Sequence, residues 1–402
     1  MKMDFVKRIR KDRGVALAAA WSFNQLAYAI VYPFIPLYLC QERNLPYSTA
    51  SLVFPLLGLA TVIAPVPCGW LTDRFGCTRM MLGGQFFRGA IFFVLAGLVC
   101  FEAPFWLFAG ALMLNTMVGT GFQVGSDAYL VHYARKEELP SHYSKIRIGF
   151  NLGWAIGPML GAFFAKTPYW AFFVGTGLLC MIGTYYTQRA CCRNLPPVNC
   201  VKPKTSVKGS STLLRDIFTN RAFLLLTVGT LLLMLLSSQL YSTMSFFATS
   251  KVGISRNALG SIYSLNGFMV LSLQLPVTAL LKRSNIPLTY QLAGGALLYG
   301  FGYFQLGFAA GAWSVALAVI VVTIGELIVQ PGLSAAISRE VNPANSGKML
   351  SVNSLMRGIG SSVGPWLGGQ LFSAVSPVAL WSILSSFAGG AACLFAFAKK
   401  RK

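Results

Sequence analysis

Between Val15 and Phe397 the chain returns repeatedly to apolar runs of about 20 residues, each long enough to cross a hydrocarbon core about 30 Å thick. Little sequence is left over for a soluble domain. Of the 402 residues 55% are hydrophobic and only 11% charged, against about a quarter charged in an ordinary soluble domain. In lipid every backbone polar group must be bonded within the protein, and these runs lack the alternating pattern of membrane strands, so the predicted class is an all-α membrane protein. The runs fall at 15–39, 47–71, 80–101, 104–131, 146–165 and 168–189, then at 220–248, 257–281, 287–309, 312–338, 349–373 and 375–398, giving twelve predicted spans.

A formal charge of +22 suggests nucleic acid in a soluble protein, so the placement of the 33 Lys and Arg residues decides its meaning. With the N-terminus inside, the outer loops hold only Arg43, Lys166, Lys251 and Arg256, Arg88 sits within a span, and the rest fall inside. That asymmetry is the positive-inside pattern, so the charge reports orientation and a nucleic-acid partner is not expected. The basic segment before Val15 resembles a secretory leader, but the apolar run after it is about twice a leader's length and has no small-x-small cleavage site. Both termini are therefore expected in the cytoplasm.

Chemistry-bearing clusters are few. The nine cysteines are an odd and scattered set; Cys191, Cys192 and Cys200 lie close in sequence but without a His or acid, so spectator thiols are expected and no metal. His132 and His142 lack ligand spacing and read as interfacial. No Gly-rich turn precedes a Lys-Ser/Thr pair, which excludes a P-loop and direct ATP hydrolysis. No nucleophile with a base is visible, so neither an enzyme nor a cofactor is expected.

After Arg189 comes a basic stretch containing Pro and Ser, too polar to span and longer than any other connection. The expected division is a cytoplasmic segment 1–14, a six-helix bundle 15–189, a cytoplasmic linker 190–219, a second six-helix bundle 220–398 and a basic tail 399–402. An internal repeat supports it: Gly153-x-x-x-Gly157-Pro158-x-x-Gly161-Ala162 recurs 207 residues later as Gly360-x-x-x-Gly364-Pro365-x-x-Gly368-Gly369. These are the fifth and eleventh spans, equivalent positions of two halves, each preceded by an Arg (Arg147, Arg357). Small residues at i and i+4 let helix backbones meet, so a plain packing seam is one reading of both copies.

Between the second and third spans lies Gly69-Trp70-Leu71-Thr72-Asp73-Arg74-Phe75-Gly76-Cys77-Thr78-Arg79. It resembles the loop signature of the major facilitator superfamily, a Gly, three residues and Asp-Arg-x-Gly-Arg-Lys/Arg, with Cys77 and Thr78 in place of the two residues after Gly76. The resemblance implies a major facilitator fold: twelve helices as two six-helix bundles with pseudo-twofold symmetry. It also implies a conformational latch built from Gly69, Asp73, Arg74, Gly76 and Arg79, in which Asp73 meets a helix N-terminus and Arg79 pairs with a neighbouring span. Physically, an Asp at a helix N-terminus is favoured by about 0.3 to 1 kcal/mol and Gly69 permits close approach. The alternative is an ordinary polar turn.

The Gly153 to Ala162 segment resembles the superfamily's antiporter signature in span five, which implies an exporter through Gly153, Gly157, Pro158 and Gly161. One departure weakens that: such exporters usually carry an Arg four residues before Gly-x-Gly in span four, and ahead of Gly119-Thr120-Gly121 stands Asn115. Asp127 is then either a proton-coupling group at the cytoplasmic end or a simple helix-end charge. In span ten, Gly325-Glu326 followed by Pro331 resembles multidrug exporters of the superfamily in which the Glu carries protons or contacts cations. A charge at a helix centre costs about 2.5 to 3.5 kcal/mol, so such a group is protonated, paired or facing water, and Glu326 is the favoured proton carrier. A structural Glu bonded to hydroxyls is the alternative.

Further polar side chains recur on helix faces: Gln25, Tyr28 and Tyr32; Asn115 and Gln123; Asn151, Gln239, Tyr241, Asn266 and Asn353. Singly each is an interhelical hydrogen bond worth about 0.6 kcal/mol; together with Glu326 they fit a substrate site between the halves. Arg88 either snorkels to the interface or pairs with a carboxylate, and snorkelling is the simpler account. The expected function is alternating-access export of a drug-like molecule or metabolite by proton antiport, from a monomer in a bacterial inner membrane. A metabolite importer or facilitator and a receptor-like homologue that moves nothing are the rivals.

Overall fold

A computed structural model describes residues 13–133, 139–163, 167–192, 220–340 and 346–398. Residues 1–12, nearly all of the expected linker, Cys200 within it and the tail 399–402 lie outside the described residues, as do the side chains of His132 and Ala162. Among the described residues there is no strand. Among the described residues the helices fall into twelve segments: α1 (Gly14–Glu42), α2 (Tyr47–Ile63 with Pro65–Phe75), α3 (Cys77–Cys100), α4 (Phe105–Tyr133), α5 (Leu139–Phe163), α6 (Tyr169–Thr187), α7 (Arg221–Ser237 with Thr243–Ser250), α8 (Arg256–Arg283), α9 (Leu288–Leu306), α10 (Ala312–Glu340), α11 (Ser346–Ala374) and α12 (Pro377–Phe397). Starts are set by local chemistry. Asn220 accepts from Phe223 N at 3.0 Å and Ser255 from Ala258 N at 3.2 Å, each satisfying an N–H that the helix itself leaves open.

By length and composition alone six of these helices can cross a membrane, and the bent α2 makes a seventh. The others miss that test because the helix breaks, as in α7, or carries tyrosine, glycine or basic residues, as in α5, α6 and α9. Their outer faces are nonetheless apolar: Leu178 and Ile182 on α6, and Leu297, Phe301 and Phe304 on α9, are exposed at helical spacing. Exposed apolar stripes of this kind suit hydrocarbon, not water.

Two spans read as continuous from sequence are interrupted. α2 turns by 43° between Ile63 and Pro65, where proline removes a backbone donor and clashes with the preceding turn. α7 stops at Ser237 and restarts at Thr243 without a proline. There the polar side chains compete with the helix for its carbonyls: Gln239 Nε2 donates to Leu235 O at 2.8 Å and Ser242 Oγ to Ser238 O at 2.7 Å. Between α2 and α3 the whole turn is Gly76, at φ 91° and ψ 150°, a conformation essentially reserved for glycine. Gly76→Ala is expected to cost about 1–3 kcal/mol, read as a lower thermal unfolding midpoint in detergent.

The chain divides into two compact units, Met1–Tyr38 with Leu59–Lys204 and Leu39–Gly58 with Thr205–Lys402. In the first, α5 lies along α1: a methyl on Gly153 would stand 2.7 Å from Gln25 Cβ, and one on Gly161 2.8 Å from Ile30 O. Buried Trp21 bonds Ser126 Oγ through its indole N–H at 2.8 Å. In the second, α11 lies along α7 by the same device, a methyl on Gly360 standing 2.6 Å from Met234 Cβ. Gln239 Nε2 also donates to Gly364 O at 2.7 Å, Trp381 stacks on Tyr303, and Leu39–Gly58 is held by Tyr47 OH donating to Thr243 Oγ1 at 3.2 Å and Gln370 Nε2 to Ser48 O at 2.9 Å. The duplicated motif thus makes equivalent seams in equivalent places.

Candidate functional site

Each unit carries a polar cluster inside its bundle. In the second, Glu326 on α10 accepts from Asn266 Nδ2 of α8 at 3.3 Å. The same amide donates to Thr323 Oγ1 at 2.9 Å, one turn back on α10, and its oxygen accepts from Tyr241 OH at 3.0 Å. Tyr241 stands in the break of α7, so the interruption is what turns this hydroxyl toward α8. Tyr299 and Tyr303 of α9 lie within electrostatic reach of the carboxyl. Among the described residues Glu326 has no ion pair; Asn266 is its hydrogen-bond partner. A carboxyl held by one neutral amide and flanked by phenols, without an ion pair among the described residues, is suited to taking up and releasing a proton.

In the first unit the cluster centres on Arg88 of α3, which is 5% exposed. Its Nη1 donates to Asn24 Oδ1 of α1 at 2.6 Å and its Nε to Asn115 Oδ1 of α4 at 3.3 Å, while Asn115 Nδ2 donates back to Arg88 O at 3.1 Å. The guanidinium lies over the Tyr28 ring, 5.1 Å from its centroid. Tyr28 stacks on Tyr32 at 5.0 Å, and Trp154 of α5 meets both rings edge-on. Snorkelling is therefore corrected: Arg88 points into the bundle, because the amides of α1 and α4 and an aromatic face receive it there. Pairing with a carboxylate is not seen among the described residues either. Gly119 leaves room for this, since a methyl there would stand 3.2 Å from the guanidinium carbon.

The remaining expected residues are dispersed. Gln25 lies on the α1–α5 seam, Gln123 is exposed, and Asn151 is partly buried. Gln239 ties α7 to α11, and Asn353 Oδ1 is buried without a partner among the described residues. Asp127 accepts a hydrogen bond from Tyr143 of α5. Beside the Gly76 turn, Asp73 and Arg74 at the end of α2 and Arg79 at the start of α3 are exposed; Arg74 lies over Trp70 at 5.3 Å and Phe75 at 5.6 Å. A methyl on Gly69 would meet nothing within 4 Å, so the close approach expected of this glycine is absent here. His142 is buried, packed beside Gly14 at the start of α1. Among the described residues no His, Cys, Asp and Glu grouping is fit to hold a metal.

Sequence reasoning passed over Asn24, Trp154, Thr323 and Tyr299. Two of these carried a signal: Asn24 is one helical turn before Tyr28, and Thr323 one turn before Glu326, so each shares a face with a residue already singled out.

The family model described as Major Facilitator Superfamily matches residues 17–365. An uncharacterised MFS-type transporter, YqjV of Bacillus subtilis (strain 168), is 24% identical over 382 residues, 90% of this chain and 88% of its own. The multidrug resistance protein MdtH of Escherichia coli O1:K1 / APEC is 22% identical over 376 residues, 89% and 87% of the two chains, and a raffinose permease of Escherichia coli is 25% identical over 248 residues, 56% and 55%. Among solved structures, a POT family transporter in complex with 5-aminolevulinic acid superposes with a TM-score of 0.76 at 16% identity, covering 96% of each chain. At that identity the likeness concerns fold alone.

Proposed function

The chain belongs to the Major Facilitator Superfamily, and from that premise we propose that it is a secondary active exporter, driving a drug-like molecule or metabolite out of the cytoplasm in exchange for protons. The observation that carries this is Glu326: an acid inside the second bundle, hydrogen-bonded to Asn266 and lacking an ion pair among the described residues. In an alternating-access cycle such a group binds a proton facing outside and releases it facing inside. Each pH unit supplies about 1.36 kcal/mol per proton and each 100 mV about 2.3 kcal/mol per charge, enough for uphill export. Asp127, hydrogen-bonded by Tyr143, is the second proton site of the proposal, and exposed Asp73 with Arg74 and Arg79 is its latch. The working unit is a monomer in the inner membrane with both termini in the cytoplasm, as the charge asymmetry supports.

One observation favours a second reading, a metabolite importer or facilitator: the position in α4 where exporters carry Arg is Asn115, and a sugar permease is among the relatives. Inverted vesicles holding the purified protein and a pH dye separate the two. Export predicts that members of a panel of lipophilic compounds dissipate an imposed pH gradient and accumulate inside the inverted vesicles. Depletion of the compound from the lumen indicates import, and no flux with any compound indicates a receptor-like homologue.

A further inference from the structure

The Arg88 cluster holds a charge that the protonation chemistry of Glu326 does not use. Two of the five guanidinium N–H groups are satisfied by the neutral oxygens of Asn24 and Asn115. Nη2 makes no hydrogen bond among the described residues, and Asn24 Nδ2, on a side chain only 2% exposed, is fully buried without one. Buried donors are normally matched by acceptors, and an arginine buried without a carboxylate is costly. Here a buried amide N–H without a partner and a guanidinium with N–H groups to spare lie on two side chains that already bond each other, where α1, α3 and α4 meet. Against them stand the rings of Tyr28, Tyr32 and Trp154.

We propose that this cluster is a binding site for an organic anion with an aromatic body: its carboxylate accepts from Arg88 Nη2 and Asn24 Nδ2, and its ring packs against Tyr28, Tyr32 and Trp154. The guanidinium suits a carboxylate because its planar fork presents parallel donors, whereas the amides that hold it fix its orientation without neutralising it. The proposal rests on the transport reading only in taking the bound anion as cargo. Binding itself needs no gradient and no turnover.

The test compares 2-naphthoate with its uncharged isostere 2-naphthamide, by titration calorimetry on the full chain in nanodiscs. Wild type is expected to favour the carboxylate by about tenfold or more, as for one charge-assisted contact. Arg88→Gln is expected to remove the preference, and Arg88→Lys to restore part of it. Asn24→Asp tests the same site in a fold that should persist, since the new carboxylate keeps the bond to Nη1 while neutralising the guanidinium; naphthamide binding should remain and the preference vanish. Equal binding of the two compounds to wild type, no naphthoate binding at millimolar concentration, or an intact preference in Asn24→Asp would overturn the proposal. Failure of proton-coupled export leaves this comparison untouched, so the two readings fail separately.

Discussion

Glu326→Gln is expected to abolish gradient-driven accumulation while leaving downhill exchange of the same substrate within about twofold of wild type. Glutamine keeps the shape of the side chain and still offers an oxygen to Asn266 Nδ2, so the Tyr241–Asn266 chain and the helix contacts behind it survive. What it lacks is a proton to exchange. With one proton moved per substrate, a gradient of one pH unit supports about a tenfold concentration ratio, because 1.36 kcal/mol corresponds to a factor of ten. Accumulation in inverted vesicles should therefore fall from about tenfold to unity in the variant, with counterflow of labelled against unlabelled substrate preserved. A variant that still concentrates its substrate tenfold moves the proton elsewhere, and Asp127 is then the group to replace. Loss of both activities points instead to a broken substrate site. Asp127→Asn alone should have the smaller effect, since Asp127 lies within two turns of the end of α4 and accepts from Tyr143.

The fold was legible because it rests on one-dimensional quantities. The apolar runs, the basic loops and the 207-residue repeat each survive without knowledge of helix rotation, and the observed helices begin near the residues where apolar character and caps such as Asn220 coincide. The breaks were not legible. Proline marks the bend of α2, but nothing of the kind marks α7, whose interruption comes from Gln239 and neighbouring serines turning back on their own carbonyls. Continuity of a hydrophobic run says how long a span is and not whether it is whole.

The polar clusters were half legible for a related reason. Glu326 stood out as an acid in an apolar run, and that signal requires no neighbour. Arg88 stood out equally, yet its meaning depends on which way α3 faces: outward it snorkels, inward it needs receivers. Those receivers, Asn24 and Asn115, sit on two other helices, 64 and 27 residues away in sequence. Side-chain spacing along one helix predicts a shared face but not the helix opposite, so the pairing of Arg88 with Asn115 became visible only once α1, α3 and α4 were packed.

The same limit applies to glycine, and it yields the sharpest contrast in stability. Gly358 and Gly360 are two residues apart on α11 and look alike in sequence, but they face different surroundings. A methyl on Gly358 meets nothing within 4 Å, whereas one on Gly360 would stand 2.6 Å from Met234 Cβ and 2.7 Å from Leu231 O on α7. Carbon atoms pack at about 3.5–4.0 Å, so the second methyl requires the helices to part by about 1 Å, and neither Met234 Cβ nor the Leu231 carbonyl can swing aside. Gly358→Ala is expected to stabilise by up to about 1 kcal/mol, since alanine loses less freedom in a helix. Gly360→Ala should destabilise by about 1–3 kcal/mol, and Gly360→Leu by more, because overpacking a seam displaces backbone. Thermal unfolding of the purified variants in one detergent reads the sign directly. Opposite signs at the two glycines establish the α7–α11 seam as a close-packed contact; a stabilised Gly360→Ala would show that the repeated Gly-x-x-x-Gly-Pro motif is held for some purpose other than packing.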